Sequence, residues 1–365
     1  MHEALFEPIK LGAISAPNRI LMAPLTRARA GMDAVPTEIM ATYYSQRASA
    51  GLIISEATGI SREGLGWPFA PGIWNEAQVE GWKPVTQAVH AAGGRIMCQL
   101  WHMGRIVHPD YNDGQPGVSA SATTAPGHTH TYEGRKEFVA ARPLELSEMP
   151  RLLDDYARAA ENAKAAGFDG VQLHAANGYL IDQFLRRSSN LREDAYGGSA
   201  ENRARLLDEV TARLVDIWGA DRVSVRLSPN GDSQGVDDPD PEGTFSEAAR
   251  RLEKYGLAFL ELRQPGPDGT FGQTDVPKQD ALIRQHFTGP LVLNSDYTPE
   301  AAAQDIASGR CEAISFGRPF ISNPDLPERI RQGAALAPNV NVPQSWYTPG
   351  PEGYIDYPIL AEATA

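Results

Sequence analysis

Positive charge is scarce in this chain, where 33 lysines and arginines against 46 acids leave a net charge of −13 over 365 residues. That excess repels phosphate backbones and anionic lipid, so neither nucleic acid nor a membrane surface is an expected partner. Cysteine is scarcer still. The two present, Cys98 and Cys311, stand singly inside apolar runs without the Cys-x-x-Cys spacing of zinc or redox sites, and both read as small core residues. Long apolar runs are missing, since none approaches the roughly 18 residues that would cross a bilayer. The opening Met-His-Glu-Ala-Leu-Phe-Glu-Pro has neither the basic nor the apolar region of a secretory signal, which makes a cytoplasmic location the expectation. What remains is the composition of a globular protein with a large core, at a length that suits one α/β barrel carrying insertions.

The chain alternates short apolar, β-rich runs with longer segments of helical period. Eight such runs are legible: Arg19–Leu25, Leu52–Ala57, Arg95–Leu100, Gly170–His174, Val223–Leu227, Ala258–Leu262, Pro290–Leu293 and Cys311–Phe316. Strands covered on both faces read as continuous apolar runs rather than alternating ones, as Leu-Ile-Ile-Ser-Glu-Ala and Gly-Pro-Leu-Val-Leu do. A single (β/α)8 barrel over residues 1–365 is the predicted architecture. Between the units, Leu152, Tyr156, Ala159, Ala160, Ala163 and Ala166 share one helical face, and Thr298-Pro299 with Gly309 marks a helix start and stop. One segment breaks the rhythm. Residues 103–147, after the third strand, are rich in Gly, Pro, Ser, Thr and His and are expected to form a lid or insertion. Gly231–Gly243 is a second irregular stretch, and the tail 338–365 is expected to reach the site or an interface.

In such a barrel the active site lies at the carboxyl ends of the strands. Polar residues cluster there: Thr26-Arg27 after the first strand, Gln99 to His102 after the third, Arg226 on the fifth, Asn294-Ser295 after the seventh, and Gly317-Arg318 after the eighth. The fourth strand is the most telling, because Val171-Gln-Leu-His-Ala-Ala-Asn-Gly-Tyr179 puts His174, Asn177 and Tyr179 together as the chain turns. A His N–H and an Asn NH2 aimed at one oxygen stabilise negative charge growing on it. Tyr179 keeps its proton at neutral pH and is placed to give it away. Gly317 and Arg318 offer backbone N–H groups beside a guanidinium, which suits a phosphate.

These residues and the segments around them resemble the old yellow enzyme family. The likeness is carried by Leu5-Phe6-Glu7-Pro8-Ile9, Pro17-Asn18-Arg19-Ile20, Met22-Ala-Pro-Leu-Thr-Arg27, Gln99-Leu-Trp-His102 and His174-Ala-Ala-Asn-Gly-Tyr-Leu-Ile-Asp-Gln-Phe-Leu185. It continues through Tyr196-Gly-Gly-Ser, Glu201-Asn-Arg203, Arg226-Leu-Ser-Pro229, Phe316-Gly-Arg318 and Asn323-Pro-Asp325, covering nearly the whole chain, and is strongest to the branch that includes N-ethylmaleimide reductase.

The resemblance implies non-covalent FMN, NADPH or NADH as reductant, and an electron-poor alkene as substrate, activated by a carbonyl, nitro or maleimide group. It places Pro24, Leu25, Thr26, Ala57 and Gln99 along the flavin ring, Arg226 near its N1, and Asn294, Ser295, Gly317 and Arg318 at its phosphate. His174 and Asn177 would grip the activating oxygen, with Tyr179 protonating carbon in a ping-pong cycle. Trp67, Trp101 and Tyr347 would be pocket walls, with Tyr132 and Arg142 in the lid and Arg142 a candidate for the reductant's phosphate. Three positions depart from the family pattern: Asn294-Ser295-Asp296 replaces a glycine-rich phosphate turn, Trp67 stands where tyrosine is common, and Asn177 where some relatives have histidine.

Three other readings compete. A cofactor-free lyase or isomerase would use Arg318 as phosphate anchor with His174 and Tyr179 as acid and base. A metal hydrolase would need more than His128-Thr-His130, which lacks a carboxylate at ligand spacing. A scaffolding protein would be expected to have lost its strand-end donors. The chain is expected to be a monomer or homodimer, with no metal.

Overall fold

The eightfold alternation closes on itself in the computed structural model, which describes residues 2–266, 277–338 and 343–360. Its barrel strands are β1 (Ile20–Met22), β2 (Ile53–Ile54), β3 (Ile96–Trp101), β4 (Gly170–Ala175), β5 (Val223–Leu227), β6 (Phe259–Arg263), β7 (Leu291–Asn294) and β8 (Ala313–Phe316). Each pairs in parallel with the next, and β8 returns to β1 with Ile314 opposite Ile20. Each strand is followed by a main helix, with shorter helices added after β4 and β8: α1 (Glu38–Ser45), α2 (Glu76–Ala91), α3 (Met149–Ala165), α4 (Arg205–Trp218), α5 (Pro241–Glu253), α6 (Asp280–Arg284), α7 (Pro299–Ala307) and α8 (Leu326–Gln332). No helix among the described residues is long and apolar enough to cross a membrane.

Local chemistry explains the elements. On α3, Leu152, Tyr156, Ala159, Ala160 and Ala163 are buried together, which is the apolar stripe packing on the barrel. Helix α7 opens with the Thr298 side chain accepting from the Ala301 N–H at 3.2 Å, has Pro299 in its first turn, and ends beside Gly309 at φ +73°. The second strand is shorter than its apolar run. Ser55 Oγ accepts from Gln99 N–H at 3.1 Å and Thr58 Oγ1 donates to the Glu56 carbonyl at 2.8 Å, so side chains replace the ladder between Ser55 and Ala57. Pairing with β3 resumes at Thr58 and Gly59.

The two ends of the barrel differ. The amino-terminal end is plugged by a hairpin, Ile9–Leu11 against Ile14–Ala16, which joins Leu21, Leu52, Ile54, Met97, Phe259 and Val292 in an apolar cluster. Gly12 at its tip has φ +60°, and a Cβ there would lie 2.2 Å from the Asp221 carbonyl oxygen, so only glycine fits. Cys98 and Cys311 are both buried and free, each thiol pushed up to about 12 chiefly by burial. At the other end, register sets Gln172 of β4 opposite Gln99, Arg226 opposite Glu261, and Arg263 opposite Asn294. These pairs make a polar belt under the mouth.

Residues 103–147 carry structure of their own: two short helical turns, a strand pair Val118–Ser119 with Arg142–Pro143, and a hairpin of His128–Thr131 with Gly134–Glu137. Of the tail 338–365, residues 339–342 and 361–365 lie outside the described residues. Its described part is held at the mouth by two buried arginines that bond main-chain carbonyls. Arg27 donates to Trp346 at 3.2 Å and Gly353 at 2.6 Å, and Arg29 donates to Ser345 at 3.0 Å and Glu352 at 3.2 Å.

Candidate active site

After β4 the chain reverses through Ala176-Asn177-Gly178 into a short helix, Leu180–Leu185. Asn177 (φ +62°) and Gly178 (φ +77°) are both left-handed. Asparagine tolerates that conformation, and glycine is required at 178, where a Cβ would stand 2.3 Å from the Ser233 carbonyl. Buried partners fix the turn. The Asn177 N–H donates to Ser228 Oγ at 2.8 Å, the Gly178 N–H to Asp182 Oδ2 at 2.9 Å, and Gln183 Nε2 to the Gly178 carbonyl at 2.7 Å. Asp182 is in turn paired with buried Arg186 at 2.9 Å.

Above this turn three rings meet. The Tyr179 ring lies edge-on to Trp101 at 4.9 Å and to His174 at 5.0 Å between centroids. Burial, with the nearby Arg226 and Arg263 charges, holds the His174 imidazole well below its ordinary pKa, so it is neutral. Its Nδ1 is buried with no hydrogen-bond partner among the described residues. Burial and the neighbouring Tyr347 push the Tyr179 phenol up to about 12, against smaller opposing effects of Gln234 and Arg263. The phenol therefore stays protonated.

Beneath the rings runs a continuous polar floor. Gln99 Nε2 donates to Gln172 Oε1 at 2.8 Å, and Gln172 Nε2 to Glu261 Oε2 at 2.8 Å. Glu261 Oε1 accepts from Arg226 and Ser315, while Arg226 Nη2 donates to Asn294 Oδ1 at 2.7 Å. Glu261 is fully buried. A buried carboxylate is tolerated because a guanidinium, a carboxamide and a hydroxyl satisfy it.

The mouth opens into a cavity of about 700 Å³, beside a smaller one of about 100 Å³ that shares several of its walls. Pro24, Leu25 and Thr26 line the larger space with Arg226, Asn294 and Ser295, and Gly317 and Arg318 close one end. Trp67, Trp101 and Tyr347 line it too, with Asn177 and Tyr179. Ala57, Gln99 and His174 line the smaller space. The structure thus brings the residues expected to line the flavin, grip the substrate and wall the pocket around two adjoining spaces. Asp296, an acid in the segment that replaces the glycine-rich phosphate turn, pairs with Arg318. Arg142 lies elsewhere: it forks onto Glu148 at 2.6 and 2.9 Å and is not among the residues lining either space. His128 and His130 sit on the insertion's hairpin, and no metal-binding group of three or more His, Cys, Asp or Glu occurs among the described residues.

The cavity also has walls that the sequence reading missed. Arg263 and Gln264 stand at the end of β6, Ser233 and Gln234 come from the loop after β5, and Trp346 from the tail. Arg263 was within reach, since the strand-end rule applied to Leu260-Glu261-Leu262-Arg263 points to it. Ser233, Gln234 and Trp346 sit in irregular segments that carry no periodic signal.

The space has the chemistry of a flavin phosphate site. Buried Arg226 Nε and Gln264 Oε1 find no partner among the described residues. Gly317 is not left-handed, and a Cβ there would meet nothing nearer than Leu25 Cδ2 at 3.5 Å. Neither conformation nor protein packing calls for glycine at that position, whereas a phosphate drawn against the backbone does.

A mouth of this kind defines a flavin-dependent oxidoreductase on a (β/α)8 barrel. Residues 4–337 match the model of the NADH:flavin oxidoreductase / NADH oxidase family. The chain belongs to that family and, within it, to the old yellow enzymes. It is 60% identical to an old yellow enzyme homologue from Zymomonas mobilis, with a TM-score of 0.95 and 98% and 99% of the two chains covered. Morphinone reductase is 44% identical with a TM-score of 0.93, covering 99% and 97%. A putative 12-oxophytodienoate reductase 3 of Oryza sativa is 40% identical, over 98% of this chain and 93% of its own length. The chain is accordingly an FMN-dependent, NAD(P)H-linked oxidoreductase that reduces alkenes, and the cofactor-free lyase or isomerase reading is not favoured.

Proposed function

We propose that His174 and Asn177 hold the activating oxygen of an electron-poor alkene while Tyr179 delivers a proton to its α-carbon. The observation that carries this is the trio of Tyr179, Trp101 and His174 rings at the cavity wall, with a neutral, unpartnered imidazole nitrogen and a phenol that keeps its proton. Neutral donors polarise an acceptor without binding a free anion in its place, and burial makes each bond count for more than it does in water. Bound FMN supplies the two-electron exchange between nicotinamide and alkene.

The remaining roles follow from position. Pro24, Leu25, Thr26 and Ala57 line the ring site. Gln99 has its Nε2 committed to Gln172, which leaves Oε1 for the flavin's edge. Arg226, held by Glu261 and Asn294, is a fixed cation for the ring, and the Asn294–Ser295 backbone with Gly317 and Arg318 takes the phosphate. Trp67, Trp101 and Tyr347 set the substrate's orientation. Residues 103–147 act as cover, since His130 on their hairpin packs 5.5 Å from Trp67 and Arg105 ties them to the Gln234 carbonyl at 2.8 Å. The relatives' names, morphinone, 12-oxophytodienoate and chanoclavine-I aldehyde reductase, all specify carbonyl compounds, and a conjugated carbonyl is the substrate class proposed here. The protein is read as cytoplasmic, and as a monomer or homodimer.

Anaerobic titration of the purified yellow protein with NADPH and NADH, followed by a panel of enones, nitroalkenes and maleimides, tests this. Bleaching by nicotinamide and recovery of colour by the alkenes is expected. Recovery by oxygen alone would refute the assignment of the substrate.

A further inference from the structure

We infer that Arg263, at the carboxyl end of β6, is a positioning residue that turns the Asn177 carboxamide so that its NH2 faces the substrate. This rests on the reading of Asn177 as a donor to the substrate's oxygen. Arg263 is buried, lines the cavity, and donates through Nη1 to Asn177 Oδ1 and, at 3.3 Å, to Ser233 Oγ.

A guanidinium has donors only. The carboxamide edge that meets it must therefore be the oxygen, and the NH2 must lie on the other edge. Asn177 lines both the larger and the smaller space, and its Nδ2 donates to no described residue. The backbone cannot set this choice. The left-handed turn and the bonds to Ser228 and Asp182 fix where residue 177 is, yet an amide can flip about its last torsion with little steric cost. Flipped, it would present a carbonyl oxygen to the substrate's oxygen and repel it. The charge on Arg263 also draws electron density toward Oδ1, which sharpens the N–H as a donor. Retaining a second cation close to Arg226 is unfavourable in a buried site, so its place at the mouth needs a compensating contact, and Asn177 provides one.

A double-mutant cycle on the flavin-loaded enzyme tests this. Anaerobically reduced protein is mixed with 2-cyclohexen-1-one and reoxidation is timed for the native enzyme, Asn177→Ala, Arg263→Met and the double variant. Arg263→Met is expected to slow reoxidation about tenfold in the native background and less than about twofold in Asn177→Ala. Binding of cyclohexanone, followed by the flavin spectrum, should weaken in the same pattern. Arg263→Lys should recover part of the rate, because an ammonium also only donates. If Arg263→Met does not take up flavin, Arg263→Gln carries the cycle. An Arg263 effect equally large without Asn177, or no effect with it, overturns the inference and leaves the Asn177 reading standing. No effect of Asn177→Ala overturns that reading itself.

Discussion

The β4 junction and the corner formed by β7 and β8 face the same cavity and are built on opposite terms. At the junction the working groups are uncharged, His174 buried and Asn177 and Tyr179 half-buried, and a lattice of bonds through Ser228, Asp182 and Gln183 fixes the turn that carries Asn177 and Tyr179. At the corner Arg318 and Asp296 are paired charges whose side chains are about one-third exposed. The difference separates two tasks. Donors that act on a developing charge work best when set before the substrate arrives, whereas a group that only anchors a phosphate can exchange one anion for another.

The junction should give the largest losses. Tyr179→Phe removes the proton and little else, and alkene reduction is expected to fall by about 10²–10⁴-fold with nicotinamide oxidation retained, as stopped-flow of the two half-reactions would show. Equal slowing of both halves would break the contrast by making Tyr179 a general support. His174→Ala is expected to slow alkene reduction by about 10²–10³-fold, the loss seen when one fixed donor to a developing oxyanion is removed. An unchanged rate would reassign the oxyanion donor.

Stability against acid sharpens the contrast further. His102, whose carbonyl accepts the Leu180 N–H at 3.0 Å, is buried beside the junction, and burial holds its imidazole down at about 3. Its pKa is lower folded than unfolded, where it is about 6.5, so below pH 6.5 the unfolded chain takes a proton that the folded one refuses. Stability is therefore full above that pH and falls toward pH 3, by up to about 1.4 kcal/mol per unit for this group. The melting temperature should drop between pH 7 and pH 5, and His102→Gln should flatten the slope. The corner should respond to salt instead. Asp296→Asn frees Arg318 from a competing anion, and FMN is expected to bind the apoprotein about 3–10-fold tighter at low ionic strength, an advantage that fades in high salt. Weaker binding would mean that Asp296 serves the flavin directly.

The barrel was legible because its strands are covered on both faces, so every one of them announced itself as an apolar run. Site residues were legible where they sit at strand ends in contiguous motifs, as His174, Asn177 and Tyr179 do. Arg263 went unread because its strand was taken to stop at Leu262, one residue short of the mouth. Other features depend on contacts that no local pattern records. Trp67 and Tyr347 approach to 5.3 Å across the cavity although they are far apart in the chain, and Arg27 reaches Gly353. The Asp296–Arg318 pair is of the same kind: the residues were visible, and which way the carboxylate turned was not.

Because Arg27 and Arg29 take hold of the tail by its peptide oxygens and by the buried Tyr354 ring, the grip makes no demand on the Tyr347 side chain. The wall that Tyr347 lends to the cavity is thus an interchangeable part on a fixed mount, and selection or a protein engineer can recut it for a different guest without loosening the strap that carries it.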